Sequence, residues 1–332
     1  MKNAKKIISI AILTILTTSL IGCNMIEKTP EGVAKSVVAK VFDTKVTRGE
    51  VDKELAGILP QIKEQYGEDY ASNTEAKETI KTQKTQILES LIALKIVNYK
   101  AEELKIMPTD EKINTEITKQ LEAIKASLES EEKYKEELKK ANITEEELKE
   151  KIKPSVVQNA LKVEITKDVK VNEAMEKTYY TENPNMFTEK PNRVNISHIL
   201  VATEEEAVAI KKRLDKGEDF AALAKEKSID TASKETGGEL GFVEYTETQI
   251  DPTFLKAAIA TAKGKVSDPV KSESGVHLIK VIEKEEFDVK KFETVKEEIQ
   301  KTLLKQEQDK KWTETFTKWQ EEGKVTKYEK NL

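Results

Sequence analysis

The sequence predicts an α+β chain in which a small antiparallel sheet with helices is inserted between segments of an all-helical region. Long Lys- and Glu-rich segments with apolar stripes at helical spacing lie on both sides of residues 192–284. Within 192–284 the helical spacing gives way to short alternating strands, and six of the twelve glycines lie there. Charged residues make up 35% of the chain and aromatic residues 5%, which favours long solvated helices over one large core.

The N-terminal segment, residues 1–22, is predicted to be a signal peptide. Three lysines precede the apolar run 7–21, which has the length of a secretory signal and is shorter than the ~20 residues needed to span a bilayer. The run ends in Leu20-Ile21-Gly22-Cys23, which resembles the lipobox of bacterial lipoproteins. In that family the cysteine is lipidated and the chain is cut just before it. The alternative is an ordinary signal peptide that a cysteine happens to follow.

The resemblance implies a mature protein that is held on the extracytoplasmic face of the cell membrane by lipid on Cys23. Removal of 1–22 deletes three lysines and no acids, so 56 − 3 = 53 positive charges face 61 negative ones, a net charge of −8. This acidic balance argues against a nucleic-acid partner. One cysteine excludes an intramolecular disulfide, and with two histidines we expect no metal and no cofactor.

The elements before residue 190 are predicted from apolar spacing and from helix-start signals. A hairpin is expected over 37–47, and capping boxes at Thr47–Glu50 and Thr144–Glu147 are expected to open helices. Between them, apolar stripes predict a long helix from Thr74 to about Ile106 and another beginning after Pro108. Pro154 lies inside the helix that follows the second box and is predicted to kink it.

The glycine-containing segment is predicted to follow a βααβαβ order. Strands are expected at 193–201, 240–243 and 276–282, and helices at 203–214, 219–225 and 251–262. This order indicates a small antiparallel sheet packed with helices.

A last helix is predicted after Asp288, and its apolar stripe ends in Trp312, Phe316 and Trp319. Such large aromatic side chains have to be buried, and we expect them to pack on the N-terminal helical region. A peptide-binding groove is the alternative. The predicted domains are therefore 23–190, 191–285 and 286–332, with the helical domain formed by two separate segments.

Residues 191–285 resemble the parvulin-type peptidyl-prolyl isomerases over roughly 90 residues. The resemblance is carried by several segments in the parvulin order, namely Ser197-His198-Ile199-Leu200-Val201, Asp219-Phe220, Ser228-Ile229-Asp230, Gly237-Gly238-Glu239-Leu240-Gly241-Phe242, Phe254 and Ser274-Gly275-Val276-His277. The whole architecture resembles the PrsA-type foldase lipoproteins. The N-terminal region resembles SurA-like chaperones through its hairpin-helix pattern near 37–55.

The resemblance also implies the site residues. His198 and His277 match the paired histidines of parvulins, and Asp230 matches a position held by Cys or Asp. An aspartate there argues against a covalent thiol mechanism. The residues expected to bind substrate are Leu240, Phe242, Ile250, Phe254 and Ser274. Of these, Leu240, Ile250 and Phe254 match the proline pocket of parvulins.

The expected function is that of an extracytoplasmic foldase that isomerises X–Pro bonds in unfolded or newly secreted polypeptides. Some parvulins bind phosphorylated Ser or Thr before proline through basic residues after the first strand. This chain has Thr203-Glu204-Glu205-Glu206 there, so no preference for phosphopeptides is expected.

Two other functions are compatible with the same sequence. One is a holdase chaperone whose parvulin domain is catalytically degenerate, and the other is a transport-receptor lipoprotein, against which the long helical stripes argue. The oligomeric state is left open between a monomer and a homodimer.

Overall fold

A computed structural model describes residues 29–128, 130–141 and 143–332, so the predicted signal peptide and Cys23 lie outside the described residues. The chain forms two compact units. The first unit contains the described residues up to Glu164 together with Thr315–Leu332, and the second contains Ile165–Glu314. The second unit thus holds the glycine-containing segment and also residues 165–190 and 286–314.

Helices account for most of the regular structure. The α-helices are α1 Pro30–Ala34, α2 Arg48–Ala56, α3 Leu59–Tyr66, α4 Thr74–Glu103, α5 Asp110–Ser127, α6 Glu131–Lys140, α7 Glu145–Thr166, α8 Glu173–Glu182, α9 Glu204–Asp215, α10 Phe220–Lys227, α11 Pro252–Ala260 and α12 Phe292–Glu322. The strands are β1 Val37–Val41, β2 Thr44–Thr47, β3 Arg193–Val201, β4 Glu239–Glu244, β5 Val270–Ser272, β6 Gly275–Glu285 and β7 Thr326–Lys327. None of these helices is both long enough and apolar enough to cross a membrane.

The two predicted capping boxes are confirmed. The Thr47 N–H donates to the Glu50 carboxylate at 2.7 Å, and the Glu50 N–H donates back to the Thr47 hydroxyl at 3.3 Å. The same reciprocal pair joins Thr144 and Glu147, at 2.8 and 3.1 Å. Each pair satisfies backbone donors that the first turn of a helix leaves free, so α2 and α7 begin where the sequence predicts. Helix α7 continues through Pro154.

The first unit contains a three-stranded antiparallel sheet in the order β2-β1-β7. The predicted hairpin, β1 with β2, is confirmed, and its inward valines Val38, Val41 and Val46 are fully buried. Strand β7 was not predicted, because two residues are too few to show an alternating pattern. It pairs through Ala39 with Lys327, which ties the end of the chain to the hairpin.

The C-terminal part of α12 packs in the first unit around a buried lysine. Lys100 Nζ lies 2.7 Å from the carboxylates of Glu103 and Glu322 and 5.1 Å from the ring centre of Phe42. The same Nζ atom lies 5.9 Å from the ring centre of Trp319, a residue that is 7% exposed. The two carboxylates and the aromatic rings together compensate for the hydration that the Lys100 ammonium loses on burial.

The second unit contains a four-stranded antiparallel sheet in the order β4-β3-β6-β5. The predicted strands at 193–201, 240–243 and 276–282 are confirmed, with β5 as an addition. Successive side chains of a strand point to opposite faces, and apolar residues of β3 and β6 accordingly divide between two buried clusters. Val194, Ile196, Ile279 and Val281 pack with α11, whereas Ile199, Val201, Val276 and Leu278 pack with α9 and α10.

Candidate active site

The two histidines of the chain meet on one face of the central strand pair. His198 is opposite Ile279 and His277 is opposite Leu200, so the two side chains are offset by two residues on neighbouring strands β3 and β6. Their Nδ1 atoms are 3.2 Å apart and their ring planes differ by 17°. They are only 6% and 7% exposed. Antiparallel pairing therefore joins two residues that are 79 positions apart in sequence.

Asp230 lies in the loop after α10, and its Oδ2 is 2.8 Å from Nε2 of His198. The loop is fastened to β3 by two hydrogen bonds. Ile229 N–H donates to the Leu200 carbonyl at 2.8 Å, and the Ser228 hydroxyl accepts the Leu200 N–H at 3.1 Å. These contacts place the carboxylate beside the edge of the His198 ring.

Two serines that were not predicted complete the network. The Ser233 hydroxyl donates to Oδ2 of Asp230 and lies 3.0 Å from Nε2 of His198. The Ser272 hydroxyl lies 2.7 Å from Nε2 of His277. The Asp-x-x-Ser spacing of 230 and 233 is a common turn pattern and could have indicated the first contact. Strand β5, which carries Ser272, is three residues long and shows no pattern.

An arrangement with two neutral rings satisfies the whole chain of contacts. The Asp230 carboxylate can only accept, so His198 donates through Nε2–H and its Nδ1 is left as an acceptor. His277 then donates through Nδ1–H to His198, and its Nε2 accepts the hydroxyl proton of Ser272. Both rings are neutral in this arrangement.

Two pKa values in the site are shifted from their ordinary values. Burial and the neighbouring His198 lower the pKa of His277 to about 4, so its ring is neutral at pH 7. Burial raises the pKa of Asp230, but hydrogen bonds from Ser233, His198 and the Ala232 N–H outweigh it and bring the pKa to about 2. The site therefore holds a carboxylate charge on Asp230 and a neutral ring on His277.

Phe254 forms the apolar wall of the site. It lies in the first turn of α11, where the Asp251 carboxylate caps the helix by accepting the Phe254 N–H at 2.9 Å. The ring of Phe254 meets His277 and His198 edge to face, with centroids 5.0 and 5.7 Å apart. Ile250 is half-buried against the same apolar cluster as Phe254.

The remaining candidate substrate-binding residues are exposed. Leu240 lies in β4 where the pairing with β3 is irregular and is 38% exposed. Phe242 is 40% exposed, and the Arg193 guanidinium lies over its ring, 4.3 Å from the ring centre. Ser274 is exposed and its N–H donates to the Ser272 hydroxyl at 3.1 Å. The structure thus joins His198, Asp230, His277 and Phe254 through direct contacts and leaves these three side chains open to solvent.

Gly238 supports the site through its backbone. Its carbonyl accepts the His198 N–H at 2.8 Å, and its φ of +82° is one that residues with a side chain rarely adopt. A Cβ atom at this position would lie 2.1 Å from the His198 carbonyl oxygen. Only glycine lets the turn approach β3 this closely. Among residues 29–128, 130–141 and 143–332, no group of three His, Cys, Asp or Glu side chains is arranged to hold a metal ion.

Comparison with known proteins identifies the family. A PPIC-type PPIase domain model matches residues 190–283, which include all the site residues above, and a SurA-like N-terminal domain model matches residues 1–162. The foldase protein PrsA of Clostridium botulinum (strain Langeland) is 48% identical over 335 aligned positions that cover 100% of both chains. The chain belongs to the PrsA foldase family. The PrsA of Clostridium kluyveri is 40% identical, again with 100% of both chains covered.

A crystal structure of peptidylprolyl isomerase (PrsA) from Bacillus anthracis is similar with 28% sequence identity. It covers 73% of this chain and 99% of its own, at a TM-score of 0.42. Together with the two domain models, membership of the PrsA family confirms the predicted fold class, with a parvulin domain and a SurA-like helical domain. The chain is a peptidyl-prolyl cis-trans isomerase and a foldase chaperone.

Proposed function

We propose that this PrsA-family chain is a membrane-anchored, extracytoplasmic foldase that isomerises X–Pro bonds without forming a covalent bond to its client. The observation that carries the proposal is the continuous hydrogen-bonded chain from Ser272 through His277 and His198 to Asp230, next to the ring of Phe254.

Rotation about an X–Pro bond crosses a barrier close to the ~18–20 kcal/mol of ordinary peptide bonds, because the planar amide loses its resonance when it twists. The planar form places partial negative charge on the carbonyl oxygen, and the twisted form places less there. A site accelerates rotation when it interacts more favourably with the twisted form than with the planar form. Each ~1.36 kcal/mol of this difference raises the rate tenfold.

The residues of the site fit this requirement. The Asp230 carboxylate, with a side chain 23% exposed, is close enough to solvent to face the carbonyl of a bound client. Its negative charge disfavours the planar amide and so favours twisting. His198, which His277 supports through its Nδ1 atom, holds that carboxylate in one orientation, and neither ring exchanges a proton with the client.

We assign the proline ring to the apolar side of the site. Phe254 is the base of this pocket, and Ile250 packs on the same cluster. Leu240, which the resemblance assigns to the proline pocket, is 38% exposed at its edge. Phe242 and Ser274 are exposed, so they are available to the residues that flank the proline. The only cysteine of the sequence is Cys23, far in sequence from this site, which favours a non-covalent mechanism.

Membrane attachment is proposed through lipid on Cys23, in agreement with the lipobox resemblance. Two or more acyl chains give a stable anchor, whereas one is marginal. Fractionation of cells that express the full chain tests this. The wild type is expected with the membranes and a Cys23→Ser variant is not; equal membrane fractions for the two proteins would contradict it.

The catalytic assignment is tested with a protease-coupled proline isomerisation assay on the full mature chain. His198→Ala and Asp230→Ala are expected to lose most of kcat/KM. Ser267→Ala serves as the control, because it removes a buried hydroxyl that accepts the Ile279 N–H and not a hydrogen bond of His198, His277 or Asp230. Activity at the wild-type level in both site variants would refute the assignment. An aggregation-suppression assay on the same proteins separates holding from catalysis.

A further inference from the structure

Ser233 is a fully enclosed side chain at the centre of the loop between α10 and β4. It is 3% exposed, and all of its polar atoms make hydrogen bonds within the site. Its hydroxyl donates to Oδ2 of Asp230, its backbone N–H donates to the same oxygen at 3.2 Å, and its carbonyl accepts the Gly238 N–H at 2.8 Å. Gly238 in turn accepts the His198 N–H.

The hydrogen bonds around Asp230 fix the orientation of its carboxyl group. Ser233 occupies Oδ2 with two donors, while the Ala232 N–H donates to Oδ1 at 3.3 Å. A carboxylate held by a single histidine could turn and offer either oxygen. Because the loop donates hydrogen bonds to both of its oxygens, the Asp230 carboxylate is held with Oδ2 towards His198.

The Ser233 hydroxyl adds to Asp230 in favouring a proton on Nε2 of His198. Its own hydrogen points to Asp230, so the side that faces His198 Nε2 at 3.0 Å is a lone pair. Two acceptors, one from Asp230 and one from Ser233, therefore face Nε2. A bare Nε2 would place three lone pairs against one another in a buried site, which is costly.

We propose that Ser233 is a positioning residue of the isomerase site, which orients the Asp230 carboxylate and keeps the proton of His198 on Nε2. The inference rests on the proposed roles of His198, His277 and Asp230. Ser233 itself does not touch the client. It acts through Asp230 and His198, so its loss should change turnover and leave substrate binding nearly unchanged.

The first experiment observes the ring nitrogens directly. The chain has only two histidines, so a ¹⁵N spectrum of the full mature protein contains four ring signals. In the wild type each ring is expected to show one protonated and one bare nitrogen. Ser233→Ala should turn the His198 signals into those of a tautomer mixture, and Ser267→Ala should not. Wild-type signals in Ser233→Ala would overturn the proposal.

The second experiment is a double-mutant cycle in the proline isomerisation assay. Ser233→Ala should lower kcat by roughly tenfold, as expected for one hydrogen bond to a charged group, with KM within about twofold of wild type. In the Asp230→Ala background the same change should have almost no further effect. Equal losses in both backgrounds would show that Ser233 does not act through Asp230.

Ser233→Cys serves if the alanine variant does not fold, since the thiol fills the same space but is a weak hydrogen-bonding group. It should give the same tautomer mixture and the same direction of kcat change, and wild-type behaviour would count against the proposal. If His198→Ala and Asp230→Ala are inactive while Ser233→Ala matches Ser267→Ala, only this inference fails. If His198→Ala is active, the proposed site itself fails.

Discussion

His277 is expected to make the second unit less stable in mild acid. Burial and the neighbouring His198 hold the pKa of its native ring at about 4, compared with an ordinary value of 6.5. Below pH 6.5 the unfolded chain takes up a proton on this residue that the native state does not accept. The contribution of His277 to the free energy of unfolding therefore falls as the pH drops from about 6.5 to about 4, and it is constant below that.

The size of the loss follows from the separation of the two pKa values. A difference of 6.5 − 4 = 2.5 units corresponds to about 3 kcal/mol at about 1.36 kcal/mol per unit. Roughly 2 kcal/mol of this is already lost at pH 5. Asp230, whose pKa is lowered from 3.8 to about 2, contributes stability that is lost only between these values, so it does not act in the same pH range.

Urea denaturation of the full mature chain at pH 7.5, 6 and 5 measures this effect. The amide signals of β3 and β6 report the second unit separately from the first. A His277→Asn variant is the control, because it keeps every other titrating group and lacks the ring in question. The difference in the free energy of unfolding between the wild type and His277→Asn should shrink by about 2 kcal/mol between pH 7.5 and pH 5. A constant difference, or a His277 ring that titrates near pH 6.5 in the native protein, would refute the reasoning.

Four other changes give separate tests. Gly238→Ala places a Cβ 2.1 Å from the His198 carbonyl at a φ of +82°, so it should cost more than about 2 kcal/mol in urea denaturation and abolish isomerase activity; normal activity would contradict this. Lys100→Met removes the ammonium group shared by two half-exposed carboxylates and should lower the stability of the first unit by about 1–2 kcal/mol, with kcat unchanged. Phe254→Leu should raise KM for proline peptides several-fold, and an unchanged KM would remove Phe254 from the pocket. Peptides with phosphorylated Ser or Thr before proline should not react faster than unphosphorylated ones, since 203–206 carry three acids; faster turnover would contradict this.

Features that depend on a few neighbouring residues could be predicted from the sequence. The capping box at Thr47–Glu50 closes within one helical turn, and strand β3 shows its alternation within nine residues. Local hydrogen bonds and side-chain periodicity depend on residues that are close together in the sequence, so these boundaries matched the structure closely.

Only some of the residues in the site could be predicted from the sequence. His198, His277 and Asp230 were named from motif positions, and the structure brings the three side chains into one network. Ser233 and Ser272 were not named, because a serine in a loop or a short strand carries no pattern of its own. Their contacts depend on where β3, β6 and the loop after α10 come together.

The sequence by itself determined most of the helices, the main strands, the family resemblance and the scarcity of histidine that singled out the site. Only the tertiary structure decided the hydrogen-bond partners of the two rings, the return of β7 to the hairpin, and the exposure of Leu240 and Phe242 on β4. The physical reason is the same in each case. Periodicity and capping act over a few residues, whereas strand pairing and burial join residues tens to hundreds of positions apart, and only the folded chain shows which of them meet.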